Sequence, residues 1–294
     1  RIHATDPSAQ ALVVLRFDGQ TLFQETRSSH GDSTGTILTG IDALQIDPGG
    51  AHVYGINTDE SSLLVLNASD LSGIETYTDG AGGVNGLGKA NALAVSHDGT
   101  RVYVGAPDDE VIGVFHRDHA SGKLTFVGSL PIDEASFGQV HALAVSPGGE
   151  VLYAGFDDLV AAFPVADLSD PSAAVADAEI LSTDAVVTSL TVGPSTNNGV
   201  AVYVATPGDI RRYFSPVDAA PLSGSLQVLR GTPGGALAAD ADGGFLYACS
   251  PGDNSVRVFR ELGDRLSEQP IQHLKEGFNG VHGIVRPVAL AVSP

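Results

Sequence analysis

The sequence predicts an all-β fold, a six-bladed β-propeller of four-stranded antiparallel blades, and three observations lead to this prediction. The first is a repeated apolar phrase of the type Ala-Leu-Ala-Val-Ser. Its copies begin at Ala43, Ala92, Ala142, Ser189, Ala236 and Ala289. They lie 49, 50, 47, 47 and 53 residues apart, and a period of this size is typical of arrays of supersecondary units.

The second observation is that each repeat contains four short segments typical of strands. In one copy, Ala92–Ser96 is followed by the turn His97–Thr100, and then by the apolar runs Arg101–Ala106, Val111–Phe115 and Lys123–Leu130. These runs are rich in β-branched and aromatic residues, and Gly, Pro or Asp bounds them, as in strand–turn–strand segments. No segment shows a sustained helical period flanked by caps. Four strands in each unit predict one antiparallel propeller blade.

The third observation concerns the two ends of the chain. A first-strand phrase occupies 289–294, and the N-terminal segments Arg1–Thr5, Ala11–Phe17 and Gln20–Thr26 resemble a second, third and fourth strand. Joining them would leave no free sheet edge. We therefore expect one domain over 1–294. Its predicted blades are 289–294 with 1–42, then 43–91, 92–141, 142–188, 189–235 and 236–288.

The predicted second strands share a tyrosine. It stands at Tyr54, Tyr103, Tyr153, Tyr203 and Tyr247. This aromatic stripe indicates either packing between neighbouring blades or a stacked binding surface, and packing is the preferred interpretation.

Composition limits the partners that the protein can have. The chain has 35 acidic and 15 basic residues and a net charge of −20, which excludes nucleic acids and anionic lipids. No apolar run is long enough to span a membrane, so we predict no membrane insertion. The charge suits a secreted, periplasmic or cell-surface protein, or one from a salt-rich setting. The first residue is Arg and Met is absent, which favours a processed protein or an excised domain.

Acidic residues recur in the predicted loops between second and third strands. They are Asp6, Asp59, Glu60, Asp108, Asp109, Glu110, Asp157, Asp158, Asp209 and Asp253. Such loops lie on one face of a propeller, so one rim would be negative and would bind a cation or a protein or carbohydrate partner. The alternative is that Asp occurs here because its side chain favours turns.

The same face carries the predicted entrance of the central channel. The residues directly before each first strand are Asp42, Asn91, His141, Thr188, Gly235 and Val288, and His282 lies near the last of these strands. We predict ligand binding by Asp42, Asn91, His141, Thr188 and His282. Asp42 and Asn91 offer oxygen ligands to Ca²⁺, and His141 is a candidate general base. The alternative is a polar channel that holds only water.

The phrase followed by Val-Tyr-Val, as in Ala92–Val104, resembles the repeat of the YVTN and lactonase-like β-propellers over essentially the whole chain. The resemblance implies either a surface or adhesion-type module or an enzyme that hydrolyses sugar lactones. Six-bladed calcium-dependent lactonases hold Ca²⁺ in the channel through Glu, Asn and Asp. Asp42 and Asn91 match that set by position and type, whereas no Glu stands at a strand entry.

Two functions follow as hypotheses. The preferred one is a non-enzymatic binding or scaffold module of a larger secreted or cell-surface protein, whose acidic face binds a cation or a protein partner. The alternative is a calcium-dependent lactonase-like hydrolase with its site at the channel entrance, where Asp42, Asn91 and His141 would act.

Overall fold

The computed structural model describes the backbone of 2–6, 11–17, 22–29, 41–165, 171–196, 199–216, 222–231, 234–240, 242–263, 265–278, 284, 286–287 and 289–292. Side chains are described from residue 41 onward within these ranges, apart from 171–173, 194–196, 216, 223–226 and 291. All statements about side chains below concern these residues.

The regular secondary structure of the described chain is almost entirely β-strand, with strands in the order that the repeat predicts. The N-terminal strands are β1 (Ile2–Asp6), β2 (Ala11–Phe17) and β3 (Leu22–Ser29). Blade 1 contains β4 (Ile41–Ile46), β5 (His52–Asn57), β6 (Ser62–Asn67) and β7 (Gly73–Thr78). Blade 2 contains β8 (Ala92–Val95), β9 (Arg101–Ala106), β10 (Val111–Arg117) and β11 (Leu124–Pro131). Blade 3 contains β12 (Ala142–Val145), β13 (Val151–Gly155), β14 (Leu159–Pro164) and β15 (Glu179–Ser182).

Two further blades and a last strand complete the order. Blade 4 contains β16 (Ser189–Thr196), β17 (Gly199–Ala205), β18 (Asp209–Pro216) and β19 (Ser223–Arg230). Blade 5 contains β20 (Leu237–Ala239), β21 (Phe245–Ser250), β22 (Ser255–Arg260) and β23 (Gln272–Lys275), and β24 is Leu290–Val292. Two short helices, α1 (Glu134–Phe137) and α2 (Pro171–Ala176), and a 3₁₀ turn at Pro107–Asp109 lie in the connections. All described strand pairs are antiparallel, as predicted.

The predicted count of six blades needs a correction. Six copies of the first-strand phrase occur, but only five are followed by three more strands, so five blades are built from consecutive strands. The remaining four-stranded sheet is shared by the two ends of the chain, in the order β24–β1–β2–β3, and we call it the closing sheet. In it Ile2 pairs with Val292 and Ala4 pairs with Leu290.

The hydrophobic core lies between neighbouring sheets. One buried cluster joins Ile112 and Val114 of blade 2 to Leu143 and Phe163 of blade 3, and similar clusters join blades 1 and 2, 3 and 4, and 4 and 5. The first strands contact one another in the order β4, β8, β12, β16, β20, β24 and back to β4. They therefore surround a central channel.

The tyrosine stripe lies within these junctions, because all five tyrosines are buried. At three junctions the hydroxyl bonds a residue of the next blade: Tyr54 to Arg117, Tyr153 to Ser215, and Tyr203 to Glu261. Each partner stands two positions after the third-strand aromatic residue of its blade. We call these contacts tyrosine latches. They support the packing interpretation of the stripe.

Candidate functional site: the channel entrance and the acidic sector

The central channel contains a cavity of about 510 Å³ that the six first strands line. Four of the predicted site residues, Asp42, Asn91, His141 and Thr188, line this cavity. They reach it from blades 1, 2, 3 and 4, because each lies at the start of a first strand or directly before it. We call this end the channel entrance. His282 and Val288 lie outside the described residues.

His141 forms a pair with Asp157 at the channel entrance. Its Nε2 lies 2.8 Å from Oδ1 of Asp157, and this hydrogen bond is the main cause of the lowered pKa of Asp157. The backbone of Gln139 also donates to Asp157. When Nε2 carries the proton that is shared with Asp157, Nδ1 is left with a lone pair that can accept a proton.

The sequence suggested Asp157 as part of the acidic rim but not as the partner of His141. The sequence pattern could have predicted this pair. Both residues belong to blade 3, and in a blade the loop after the second strand lies on the same face as the residue before the first strand. The backbone of His141 donates to Gly155 at 2.8 Å, which brings the two loops together.

The other polar groups at the entrance differ in how well they are partnered. Asp42 accepts a hydrogen bond from the backbone of Thr58 at 3.3 Å, and Thr188 donates its hydroxyl to the carbonyl of Gly234 at 2.9 Å. Among the described residues, Oδ1 of Asn91 is buried and has no hydrogen-bond partner. A buried carbonyl oxygen without a partner is costly, so it marks a place where water or a ligand would be stabilised.

These residues fit a calcium ion only in part. Ca²⁺ takes about six to eight oxygen ligands. The described entrance offers the carboxylate of Asp42, the carboxylate of Asp157, which is paired with His141, and one free amide oxygen, from Asn91. Within the described part of the chain, no group of three or more His, Cys, Asp or Glu side chains is arranged to hold a metal ion. The described side chains alone therefore do not complete a calcium site.

Among the described side chains the acidic loops form a sector, and the side chain of Asp6, which the sequence also placed on the rim, is not described. In the entrance-face loops of blades 1 to 3, nine carboxylates are exposed. They are Asp59, Glu60, Asp108, Glu110, Asp133, Glu134, Asp157, Asp158 and Asp184. Lys89 is the single Lys or Arg in these loops, which span 58–61, 79–91, 107–110, 132–141, 156–158 and 183–188. We call these nine residues the acidic sector.

On blades 4 and 5 the two acids of the predicted rim, Asp209 and Asp253, are neutralised. Asp209 accepts from Nε of Arg211 at 2.9 Å, and Asp253 forms an ion pair with Arg257. These two Asp side chains also accept hydrogen bonds from nearby hydroxyls. The turn interpretation therefore suits blades 4 and 5, and the exposed negative charge is confined to blades 1 to 3.

Hydrogen bonds between loops hold the acidic sector in place. Oδ2 of Asp109 accepts from the backbone of Gly88 at 2.8 Å, Thr58 donates its hydroxyl to the carbonyl of Ala90 at 2.7 Å, and the backbone of Lys89 donates to Ser61. These bonds join blade 1 to the loop that enters blade 2. The sector is therefore ordered before any partner arrives.

Cys249 is not part of a reactive site. Its side chain is fully buried beside the carbonyl of Pro287, and burial raises its thiol pKa to about 12. A thiol in this environment stays protonated and unreactive near neutral pH.

No helix among the described residues is long and apolar enough to cross a membrane.

Comparison with known proteins gives the fold but no family. No protein-family model matches the sequence, and no curated protein matches it. A chain of a nidogen–laminin complex is 12% identical, with a TM-score of 0.66 and coverage of 99% of this chain and 96% of that one.

Two bacterial structures are also similar. A candidate 6-phosphogluconolactonase from Bacteroides uniformis is 15% identical, with a TM-score of 0.60 and coverage of 95% of this chain and 80% of that one. A functionally unknown protein from Desulfotomaculum acetoxidans is 14% identical, with a TM-score of 0.58 and coverage of 98% and 82%. At these identities the similarity concerns the fold alone: the chain is a β-propeller, and the YVTN resemblance stays a prediction.

Proposed function

We propose that this propeller is a non-enzymatic binding module whose acidic sector binds a positively charged segment of a partner protein. The observation that carries the proposal is the concentration of nine exposed carboxylates beside a single lysine on three adjacent blades. One structural neighbour comes from a complex between two proteins, which is consistent with this use of the fold.

Charge and rigidity act together in this proposal. Complementary charge accelerates association with a basic partner and selects against acidic ones. Because bonds between loops already hold the sector, binding would cost little ordering entropy. Lys89 lies 3.8 Å from Asp59 and both are exposed, so this ion pair offsets little of the charge.

Binding of a fluorescent lysine heptapeptide, followed by anisotropy at low and at 0.3 M salt, tests the proposal. The unaltered protein should bind at low salt and lose most of its affinity at high salt, because salt screens exposed charges. The triple variant Asp59→Asn, Glu60→Gln, Glu110→Gln should raise Kd by about tenfold, since it removes three charges from the contact surface.

A matched variant separates local from overall charge. The control variant carries Asp177→Asn, Asp242→Asn and Glu268→Gln and changes the net charge by the same amount. These exposed residues lie in loops on the face opposite the channel entrance. This control should change Kd by less than about twofold. Equal losses in the two triple variants would show that the peptide senses only the net charge, and the proposal would fail.

The second candidate is a hydrolase at the channel entrance, and the His141–Asp157 pair favours it. In such a reaction Nδ1 of His141 would take a proton from water as the water oxygen attacks the carbonyl carbon of a lactone, and Asp157 would hold the imidazole and stabilise its charged form. The ring C–O bond would then break as the charged imidazole returns the proton to the leaving alkoxide oxygen. Any Ca²⁺ that acted there would need ligands beyond Asp42 and Asn91.

Turnover of δ-gluconolactone and of p-nitrophenyl acetate, with and without Ca²⁺, tests this candidate. His141→Ala should abolish any turnover, whereas His97→Ala should not, because His97 is an exposed histidine that lines the opposite end of the same channel. Turnover at background level, or equal loss in the two variants, would remove the hydrolase from consideration.

A further inference from the structure

A second cavity, of about 270 Å³, lies between blades 2 and 3 on the face opposite the channel entrance. Blade 2 lines it with Ser96, Asp98, Thr100, Arg101 and Tyr103. Blade 3 lines it with Gly148, Gly149, Glu150 and Val165. The cavity is small and polar and is separate from both the channel and the acidic sector.

The cavity lies at a junction that has no tyrosine latch to the next blade. At the other three described junctions, Arg117, Ser215 or Glu261 reaches the tyrosine hydroxyl of the preceding blade. Val165 occupies the equivalent position here, two residues after Phe163. Its side chain has no polar atom and cannot bond a hydroxyl, and both Val165 and Tyr103 line the cavity.

A cation from blade 2 stands at the wall of this space. Arg101 lines the cavity together with Tyr103, and its Nη1 lies 3.5 Å from the carbonyl oxygen of Val165. A guanidinium has five N–H donors in a planar fork. Donors therefore remain for a ligand, and a carboxylate is the group that this fork binds best.

Two carboxylates flank the same cavity. Asp98 is held in place by the hydroxyls of Ser96 and Thr100, at 2.6 and 2.9 Å. Glu150 is exposed on the blade 3 side. The lining therefore presents one positive and two negative groups across a space smaller than a typical drug-sized pocket, which is about 300 Å³ or more.

We propose that this cavity binds a small zwitterion of the size of a free α-amino acid. The ligand carboxylate lies against Arg101, and the ligand ammonium points toward Asp98 and Glu150. This inference is independent of the proposed function, because none of these residues belongs to the acidic sector or the channel entrance.

Calorimetric titration tests the proposal with L-glutamine as the probe and two analogues, one that lacks the ammonium group and one that lacks the carboxylate. L-Glutamine should show saturable binding, and each analogue should bind at least about tenfold more weakly, since each loses one charge-assisted contact. No saturable binding of L-glutamine, or equal binding of an analogue, would overturn the proposal.

Two variants assign the binding to this cavity. Arg101→Gln should raise Kd at least about tenfold because it removes the guanidinium fork, and Val165→Gln should abolish binding by filling the space with a side chain that can reach Tyr103. The control is Ser215→Val, which removes the latch between blades 3 and 4, where Val151 stands in place of Arg101. This control should leave Kd unchanged. Unchanged affinity in Arg101→Gln would overturn the proposal even if Val165→Gln failed to fold.

Discussion

The channel entrance and the junction between blades 1 and 2 each contain a histidine paired with an aspartate, but the two pairs differ in how far they are buried. In the junction, Asp47, His52, Tyr54 and Arg117 form a buried network, which we call the Arg117 cluster. The exposed fractions of Asp47, His52 and Arg117 are 3%, 6% and 2%. Arg117 donates to Asp47 at 2.8 Å, to Tyr54 at 2.6 Å and to the carbonyl of Gly99 at 3.0 Å.

The channel entrance also pairs a histidine with an aspartate, but this pair is partly exposed to solvent. The side chain of Asp157 is 53% exposed, and Oδ1 of Asn91 lacks a partner among the described residues. The difference indicates different roles. The groups of the Arg117 cluster use their bonding capacity on one another and stabilise the fold, whereas those of the entrance keep capacity for a ligand.

The largest expected effect is that of Arg117→Ala on stability. The change leaves the carboxylate of Asp47 buried without its cation, which costs about 3–5 kcal/mol. Urea unfolding midpoints would measure the loss. The matched variant is Ser215→Ala at the neutral latch, which leaves only the hydroxyl of Tyr153 without its acceptor and should cost about 1–3 kcal/mol. A loss in Arg117→Ala no larger than that in Ser215→Ala would mean that the Arg117 cluster contributes no more than a neutral latch.

A smaller effect is expected from pH, through His52. Burial is the main cause of its lowered pKa and nearby Arg117 adds to it, while Asp47 and Asp118 oppose it. The folded state therefore binds a proton less readily than the unfolded state, whose histidine pKa is near 6.5. The free energy of unfolding should therefore decrease as the pH drops from about 6.5 toward the folded-state pKa of His52. Above about pH 6.5 the stabilising contribution of the neutral histidine should be fully present.

The contribution of His52 is isolated by comparison with His52→Gln. Urea midpoints at pH 7.5 and 5.5 should differ more for the unaltered protein than for this variant. Identical pH dependence in the two proteins would show that the proton affinity of His52 is the same before and after folding.

The smallest effect is expected at the entrance. Asp157→Asn removes a half-exposed partner of His141 and should change stability by no more than about 1 kcal/mol. The urea midpoint measures it on the same scale as Arg117→Ala. If Asp157→Asn and Arg117→Ala lowered the free energy of unfolding by similar amounts, the His141–Asp157 pair would be as important for stability as the Arg117 cluster, which would contradict this account.

Much of the fold follows from the sequence because it depends on local pattern. The repeated phrase, the turn residues and the strand-like termini predicted the strand order and the pairing of the C-terminal strand with the N-terminal strands, in which Ile2 lies opposite Val292. Counting copies of the phrase gave six blades, but the copy at Ala289 supplies a single strand to a sheet that both ends share.

The site was less predictable because its charges are paired over long sequence distances. His52 is buried by contacts with Asp47 of its own blade and with Arg117 of the next blade. An acid in every copy suggested a uniform rim, but Arg211 and Arg257, which lie within strands, neutralise Asp209 and Asp253. Such pairings depend on register and side-chain reach, which the repeat pattern does not contain.

The acidic sector as a binding surface is tested most directly by hydrogen–deuterium exchange with and without the lysine heptapeptide at low salt. We predict protection of the loops at 58–61, 107–110 and 132–141, and unchanged exchange at 206–208 and 251–254, where the acids are paired. Protection that is equal in both halves of the face, or absent from the loops of blades 1 to 3, would contradict the account.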